Sequence, residues 1–289
     1  GLQVTLDVDG QLTSSYQGQS SRSQLPELPN CIERAVHWAQ VTQNPLKVES
    51  QAIETPVLLT SEGFSPLFSM VVPPAMSGEK MVRKESFWSE RMNERVINPA
   101  LSIHDNGLLE GGMASGSRDA EGVPRRHQAL VEGGKLTNML WSTRDAAQQV
   151  AEGRTDAAAS TGSANSGGHQ SPPSTGCTEL FLTTSEATRS WGQLLEHMGD
   201  GYVVNSVMGA HTANPTSGDF SVTTSAILKV ENGEVVGALK QAGLSGNLAK
   251  AMDAEVVLGA DVRRQGSYSS GSMHLPDVLL MDGLRINPA

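Results

Sequence analysis

Cysteine is nearly absent. Cys31 and Cys177 are the two thiols in 289 residues, far apart and outside any Cys-x-x-Cys spacing. That excludes a disulfide-framework fold and a thiolate metal cluster. A chain kept reduced in the cytoplasm is the simplest reading, with one long-range disulfide as the other. Aromatics are scarce too, at 4%. Trp38, Trp88, Trp141 and Trp191 are spread evenly, which suits core anchors and not a stacking platform for bases. Positive charge is outnumbered: 21 Lys and Arg against 31 Asp and Glu, a formal charge of -10. A nucleic-acid surface needs a basic patch to neutralise phosphates, so that partner class is excluded. No apolar run reaches membrane-spanning length. The N-terminus alternates and lacks the basic n-region of a signal peptide. There is no Gly-x-Ser-x-Gly elbow, phosphate-binding Gly-x-x-x-x-Gly-Lys or Gly-x-Gly-x-x-Gly. Of the seven histidines none precedes Glu and no two lie four or five apart, so no helical zinc motif exists. A composite site from distant residues is the alternative these spacings leave.

What is present is a chain rich in hairpins. Leu2, Val4, Leu6 and Val8 alternate with polar residues, the period of a half-buried strand. Asp9-Gly10 turns into a partner strand, Gln11 to Tyr16. Asn30 to Gln43 reads as a helix with Asn30 as N-cap and Ile32, Ala35, Val36 and Ala39 on one face. Thr55 to Thr60 is a short buried strand, and Ser61 caps a helix that should end at Pro73. Lys80 to Asn98 reads as a loop or short helix over the surface. A strand at Leu101 leads into the Gly-rich connection Gly107 to Gly122. Arg125–Leu130 and Lys135–Leu140 flank Glu132-Gly133-Gly134 as a hairpin, and a helix follows over Thr143 to Glu152. Arg154 to Gly176 is rich in Ser, Gly, Ala and Thr, a composition that leaves a mobile or draped loop. Glu179 to Thr183 is a strand, Ser185 to His197 a helix capped by Ser185, and strands return with a helix near Asn247 to Ala254. Val131-Glu-Gly-Gly-Lys-Leu136 echoes Val230-Glu-Asn-Gly-Glu-Val235, which is consistent with a duplicated strand-hairpin-helix unit. Helices sit between hairpins without βαβ alternation. The fold class is therefore α+β, with largely antiparallel, hairpin-rich sheets and flanking helices.

The densest signal is Gly209-Ala-His-Thr-Ala-Asn-Pro-Thr-Ser-Gly-Asp219, packed with turn formers and flanked by β-rich runs. Followed by Asn232-Gly233 and Ser245-Gly-Asn-Leu248, it resembles the TldD/PmbA family, once called modulators of DNA gyrase. The resemblance runs from about Val57 to the C-terminus. That family pairs a zinc metallopeptidase subunit with a metal-free relative. Its zinc-bearing members carry His-Glu-x-x-x-His shortly before Leu-Glu-Gly, and a late Cys. Matching Met76-Ser77-Gly78 to Leu-Glu-Gly places Ser69, Met70 and Pro74 at the motif positions. Ser and Met are poor zinc ligands, Pro has no side-chain donor, and Met70 cannot act as a general base. Gly266 to Met273 lacks the Cys. The resemblance is thus to the metal-free TldE/PmbA branch, with no cofactor.

This implies a catalytically inactive, cytoplasmic subunit of a proteolytic complex that acts on unfolded peptides. Its partners would be a zinc-bearing TldD-like subunit and the peptide, with a homodimer when it is alone. A self-associating, non-enzymatic peptide-binding protein of the same fold is the alternative. The chain opens on Gly1 inside a strand pattern. Residues 1–50 are therefore expected to continue from a missing N-terminal domain, and 51–289 to form the family's C-terminal domain. His211, Asn214 and Asp219 are the candidate substrate-binding residues, against a reading in which Asp219 caps a turn and His211 bonds locally. Asp105 and Asp119-Ala-Glu121 resemble the family's acidic segment. Paired carboxylates could do acid/base work there, or could merely organise turns.

Overall fold

Alternation builds the first element. Leu2–Val8 and Gln11–Gln17 pair antiparallel from Leu2↔Gln17 to Val8↔Gln11. Leu2, Val4 and Leu6 turn inward while Gln3, Thr5 and Asp7 face solvent. The computed structural model describes residues 1–8, 11–22, 28–46, 48, 52–266 and 271–288; the expected Asp9-Gly10 turn lies outside the described residues. The hairpin packs on the helix Leu28–Val41.

A nine-stranded sheet forms the centre. Its order is Val256–Leu258, Val278–Leu280, Val57–Leu59, Gly201–Met208, Asp219–Glu231, Ala242–Asn247, Leu284–Pro288 and Ile53–Glu54, with Glu234–Leu239 also paired to Asp219–Glu231. A six-stranded sheet runs Arg263–Gly266, Ser272–Leu275, Glu179–Thr184, Leu101–Asn106, His127–Glu132 and Lys135–Leu136. Each of these two sheets has a single parallel pairing, Val57–Leu59 with Gly201–Met208 and Glu179–Thr184 with Ser272–Leu275; the others are antiparallel. The α+β, mainly antiparallel architecture is the one the hairpin signals indicate. Both echoed turns are hairpins. Asn232 and Gly233 take φ of 51° and 78°, and Gly133 and Gly134 take 55° and 75°, the left-handed values a two-residue turn requires.

Side-chain alternation shows how the layers stack. Val57, Leu59, Tyr202 and Val204 join one core cluster with Phe64, Leu67, Phe68 and Val71 of the helix Ser61–Ala75 and with Ile103, Leu130 and Leu180 of the six-stranded sheet. Leu58 and Val203 point the other way, to a second cluster with Trp38 and with Leu194 of the helix Trp191–Met198. The helix Ser61–Ala75 is therefore sandwiched between two sheets, and the central sheet is covered on both faces.

Several local expectations change. The helix Ser61–Ala75 does not end at Pro73: it runs through Pro66, Pro73 and Pro74. Neither Pro73 nor Pro74 has an N–H to give to the Ser69 and Met70 carbonyls. The last turn closes through 3₁₀-type bonds, Met76 N to Pro73 O and Ser77 N to Pro74 O, each 3.2 Å. Apolar packing on both sides outweighs the lost bonds. Asn30 is inside the helix Leu28–Val41 and not its cap. The buried face is Cys31, Ala35, Trp38 and Ala39, with Ile32 left 47% exposed. The later helix starts at Trp191, because Ser190 and Gln193 close a capping box. Lys80–Asn98 is not a mere surface loop, since Trp88, Val96 and Ile97 are buried in the core.

Arg154–Gly176 is only partly draped. Thr161, Ser163 and Ala164 are buried, and Ala164–Asn165 pairs with Ser174–Thr175. Thr161 N donates to Trp141 O at 3.0 Å and Ala164 N to Asp119 Oδ2 at 3.1 Å. Hydrogen exchange of the free protein should protect the Thr161 and Ala164 amides while exposed Gly167 exchanges rapidly. Uniform fast exchange across the segment would count against this packing.

Candidate functional site

The turn-rich segment is held by its own polar groups. Asn214 Oδ1 accepts from Thr216 N at 2.9 Å and Ser217 N at 3.3 Å, an Asx turn. Asp219 Oδ2 accepts from Ser217 Oγ at 2.6 Å, and its Oδ1 from Asn247 Nδ2 at 2.8 Å. These two bonds hold the Asp219 carboxyl below its usual range. Asn247 in turn caps the helix Leu248–Asp253 through Lys250 N at 3.0 Å. His211 is exposed in the 3₁₀ turn Ala210–Thr212, against which the helix Ser61–Ala75 packs. The structure thus joins Asn214 and Asp219 in one turn, but commits the Asp219 carboxylate to Ser217 and Asn247 and not to His211.

The acidic segment is also structural in its contacts. Asp119 Oδ1 accepts the amides of Glu121 and Val123, both at 2.9 Å. Glu121 reaches the start of the helix Thr143–Ala151, accepting Thr143 N at 2.5 Å and Arg144 N at 3.0 Å. Asp105 is 1% exposed and accepts from Thr178 N at 2.7 Å and Glu179 N at 2.9 Å. Burial pushes its carboxyl from 3.8 up to about 6, against those two amides and Arg125. Beside it Glu179 is buried; burial raises its carboxyl, but the His274 bond at 2.9 Å, the Ala114 amide and the charges of His274 and Arg264 outweigh this and hold it low. The His274 ring stacks on Phe181 with centroids 4.0 Å apart.

Asp105 carries a pH prediction. Its carboxyl is raised in the fold, so the protonated form favours folding. That contribution is complete below the ordinary value of 3.8 and is lost as pH rises through about 6. The loss is about 3 kcal/mol by linkage. Asp105→Asn keeps an acceptor oxygen and removes the charge. Its urea midpoint should exceed wild type by more at pH 7.5 than at pH 5. Parallel pH profiles for the two proteins would refute the assignment. Asp105→Ala, which strands two buried amides, should cost about 2–4 kcal/mol at pH 5 and less at pH 7.5, where wild type carries the buried charge.

Sequence reasoning missed a polar assembly of two arginines and two carboxylates. It lies where the helix Ser61–Ala75 begins. Thr60 Oγ1 donates to Asn205 Oδ1 at 2.8 Å, and Ser61 N to Asp277 Oδ1 at 2.8 Å. Arg263 spans Asp277 at 2.9 Å and Glu62 at 3.4 Å, and Arg34 holds Glu62 at 2.8 Å. Above this network a cavity of about 300 Å³ opens between the hairpin end Gln17–Ser20 and the strand Arg263–Gly266. A second space of about 530 Å³ shares Gln17, Gly18, Glu62 and Gln265 and reaches Ser206 and Ser225. Two strands with a single neighbour border the cleft, Gln11–Gln17 and Arg263–Gly266. Its parts come from Arg34, Thr60 to Glu62, Asn205, and Arg263 to Asp277, with Arg263 and Glu62 201 residues apart, so no local spacing could disclose it.

Comparison with known proteins decides the family. The sequence model of the PmbA/TldA metallopeptidase C-terminal domain matches residues 52–286. The chain belongs to the PmbA/TldD family. A metalloprotease PmbA homolog of Haemophilus influenzae is 26% identical over 287 residues, 99% of this chain and 56% of that protein. An uncharacterized protein of Methanocaldococcus jannaschii is 28% identical over 217 residues, 75% of this chain and 48% of that one. The chain thus spans about half the length of the curated relatives it matches. Among solved structures, TldE from Thermococcus kodakarensis superposes with a TM-score of 0.82 at 21% identity, over 98% of this chain and 61% of that one. A putative modulator of a DNA gyrase from Thermotoga maritima gives 0.77 at 27% identity, over 98% and 61%.

Membership of a PmbA/TldD metallopeptidase family implies a metal, so the donors at the motif positions matter. Ser69 is 1% exposed inside the sandwich, and Met70 and Pro74 are half-buried. A hydroxyl, a thioether and a proline ring do not fit Zn²⁺, which takes imidazole, thiolate or carboxylate. Among the described residues no three of His, Cys, Asp or Glu converge on one point. The helix Ser61–Ala75 therefore carries, at the positions matched to the motif in the sequence, side chains that do not make a zinc site. Among the described residues no helix is long and apolar enough to cross a membrane.

Proposed function

We propose that this chain is a metal-free, TldE/PmbA-like subunit of a zinc metallopeptidase complex, supplying scaffold and part of a cleft for unfolded peptides. The observation that carries the proposal is an intact helix Ser61–Ala75 bearing Ser69, Met70 and Pro74 at the motif positions. The fold supports the scaffold role, and the cleft between two single-neighbour strands supports the peptide role. An extended peptide can add main-chain hydrogen bonds to such an edge. Leu12 and Tyr16 are 70% and 67% exposed on the outer face of the hairpin, an apolar surface for a second chain. A homodimer is the proposed state without the zinc-bearing relative. Cytoplasmic location fits Cys31 and Cys177, which form no disulfide. The test is co-expression with a zinc-bearing paralogue, followed by affinity purification of this chain. Stoichiometric recovery of the paralogue supports the subunit reading. Recovery of this chain as a self-associated peptide binder alone supports the non-enzymatic alternative.

A further inference from the structure

The 300 Å³ cavity has an unusual charge for a chain of formal charge -10: three arginines, Arg34, Arg263 and Arg264, face one lining carboxylate, Glu62. Two of the three are neutralised. Arg34 pairs with Glu62, and Arg263 with Glu62 and Asp277. Arg264 has no ion pair among the described residues; its guanidinium donates to two carbonyls, Gly111 O at 3.4 Å and Ser20 O. Of the other titratable wall groups, His274 is turned to Glu179 and Cys31 is a buried thiol.

A second observation is independent of charge. Gln17 and Arg34 line this wall, and each carries a buried donor, Gln17 Nε2 and Arg34 Nε, with no hydrogen-bond partner among the described residues. Gln17 is only 5% exposed. Buried donors are rarely left unpaired, and those that are call for an acceptor. A guanidinium with no ion pair and two orphan N–H groups suit a planar anion with several lone pairs, and a carboxylate offers about four. Glu62 on the same wall disfavours a dianion such as phosphate.

The wall also explains how such a ligand is presented. Arg263, Arg264 and Gln265 are consecutive, yet all three line the cavity. Successive strand residues point to opposite faces, so the cavity borders the strand's edge and not one of its faces. We infer that this cavity captures a carboxylate of an extended peptide, with the edge of Arg263–Gly266 aligning the backbone and Arg264, Arg34 and Gln17 holding the carboxylate. The inference rests on the peptide-binding reading above and adds the anchor that sets which peptides are held.

The test uses fluorescence anisotropy on the purified full chain with three N-terminally labelled alanine peptides. One has a free C-terminus, one is amidated, and one is amidated with Glu as its last residue. At least one carboxylate-bearing peptide should bind about tenfold or more tightly than the neutral amide, with the advantage shrinking in high salt. Preference for the free acid assigns the terminal carboxylate, and preference for the Glu amide assigns a side chain. Arg264→Gln should bring the carboxylate-bearing peptides down to the affinity that the same variant shows for the neutral amide, with the circular dichroism spectrum of the wild type. Equal binding of all three peptides would overturn the carboxylate assignment and leave the peptide reading standing. Absence of binding by any of them would overturn both. An undiminished preference in Arg264→Gln would place the anchor elsewhere and overturn this site.

Discussion

Gly63→Ala is expected to destabilise the protein strongly, although alanine is the better helix former. Gly63 lies in the first turn of the helix Ser61–Ala75, its N–H donating to Thr60 Oγ1 at 3.3 Å. A Cβ there would stand 2.5 Å from Val204 O and 3.2 Å from Val204 C. Both are backbone atoms of the central strand, and Val204 O also accepts Thr60 N at 3.0 Å. No flexible side chain can move aside. Helix propensity favours alanine by about 1 kcal/mol. Overpacking between a helix and a sheet costs about 1–3 kcal/mol and sometimes more, and here the helix is clamped between two sheets. The overlap should win: at the upper end of that range the net loss is about 2 kcal/mol or more, with a thermal midpoint lower by about 5 °C or more. An unchanged or raised midpoint would show that helix and strand do not touch at this point.

The same clamp explains what could and could not be read from the sequence. Period-2 runs and Asn232-Gly233 announce hairpins because a left-handed two-residue turn leaves few residue choices, and both hairpins are found. Ser190-Trp-Gly-Gln193 was a legible capping box, but Ser185 competes with it as a polar residue just after a strand. Pro73-Pro74 reads as a stop because local rules count only the lost bonds. The burial of Val71, Val72, Pro73 and Ala75 that outweighs them is a tertiary quantity. For the site, Ser69, Met70 and Pro74 could be matched to the motif positions from sequence because a metal motif is local. Glu62, Arg263 and Asp277 were invisible as a unit, since folding and not spacing brings them within 3.4 Å.

Peptide hydrolysis is expected only when a zinc-bearing relative is added to this chain. Alone, the purified protein should hold no stoichiometric zinc, and chelator treatment should leave its behaviour unchanged. The argument is chemical. Hydrolysis by this family's route needs a Lewis acid and a base, and the positions that would supply them carry Ser69, Met70 and Pro74. The triple substitution Ser69→His, Met70→Glu and Pro74→His should not restore activity. Ser69 sits within the sandwich at 1% exposure, where a larger imidazole must displace core side chains. The stretch Gly266–Met273 would still provide no Cys. Elemental analysis and a fluorogenic unfolded-peptide assay should read near zero for both wild type and the triple variant, and rise together once the zinc-bearing chain is present. About one tightly held zinc per chain, or robust chelator-sensitive hydrolysis by wild type alone, would show that a composite metal site exists here and that the chain is itself an enzyme.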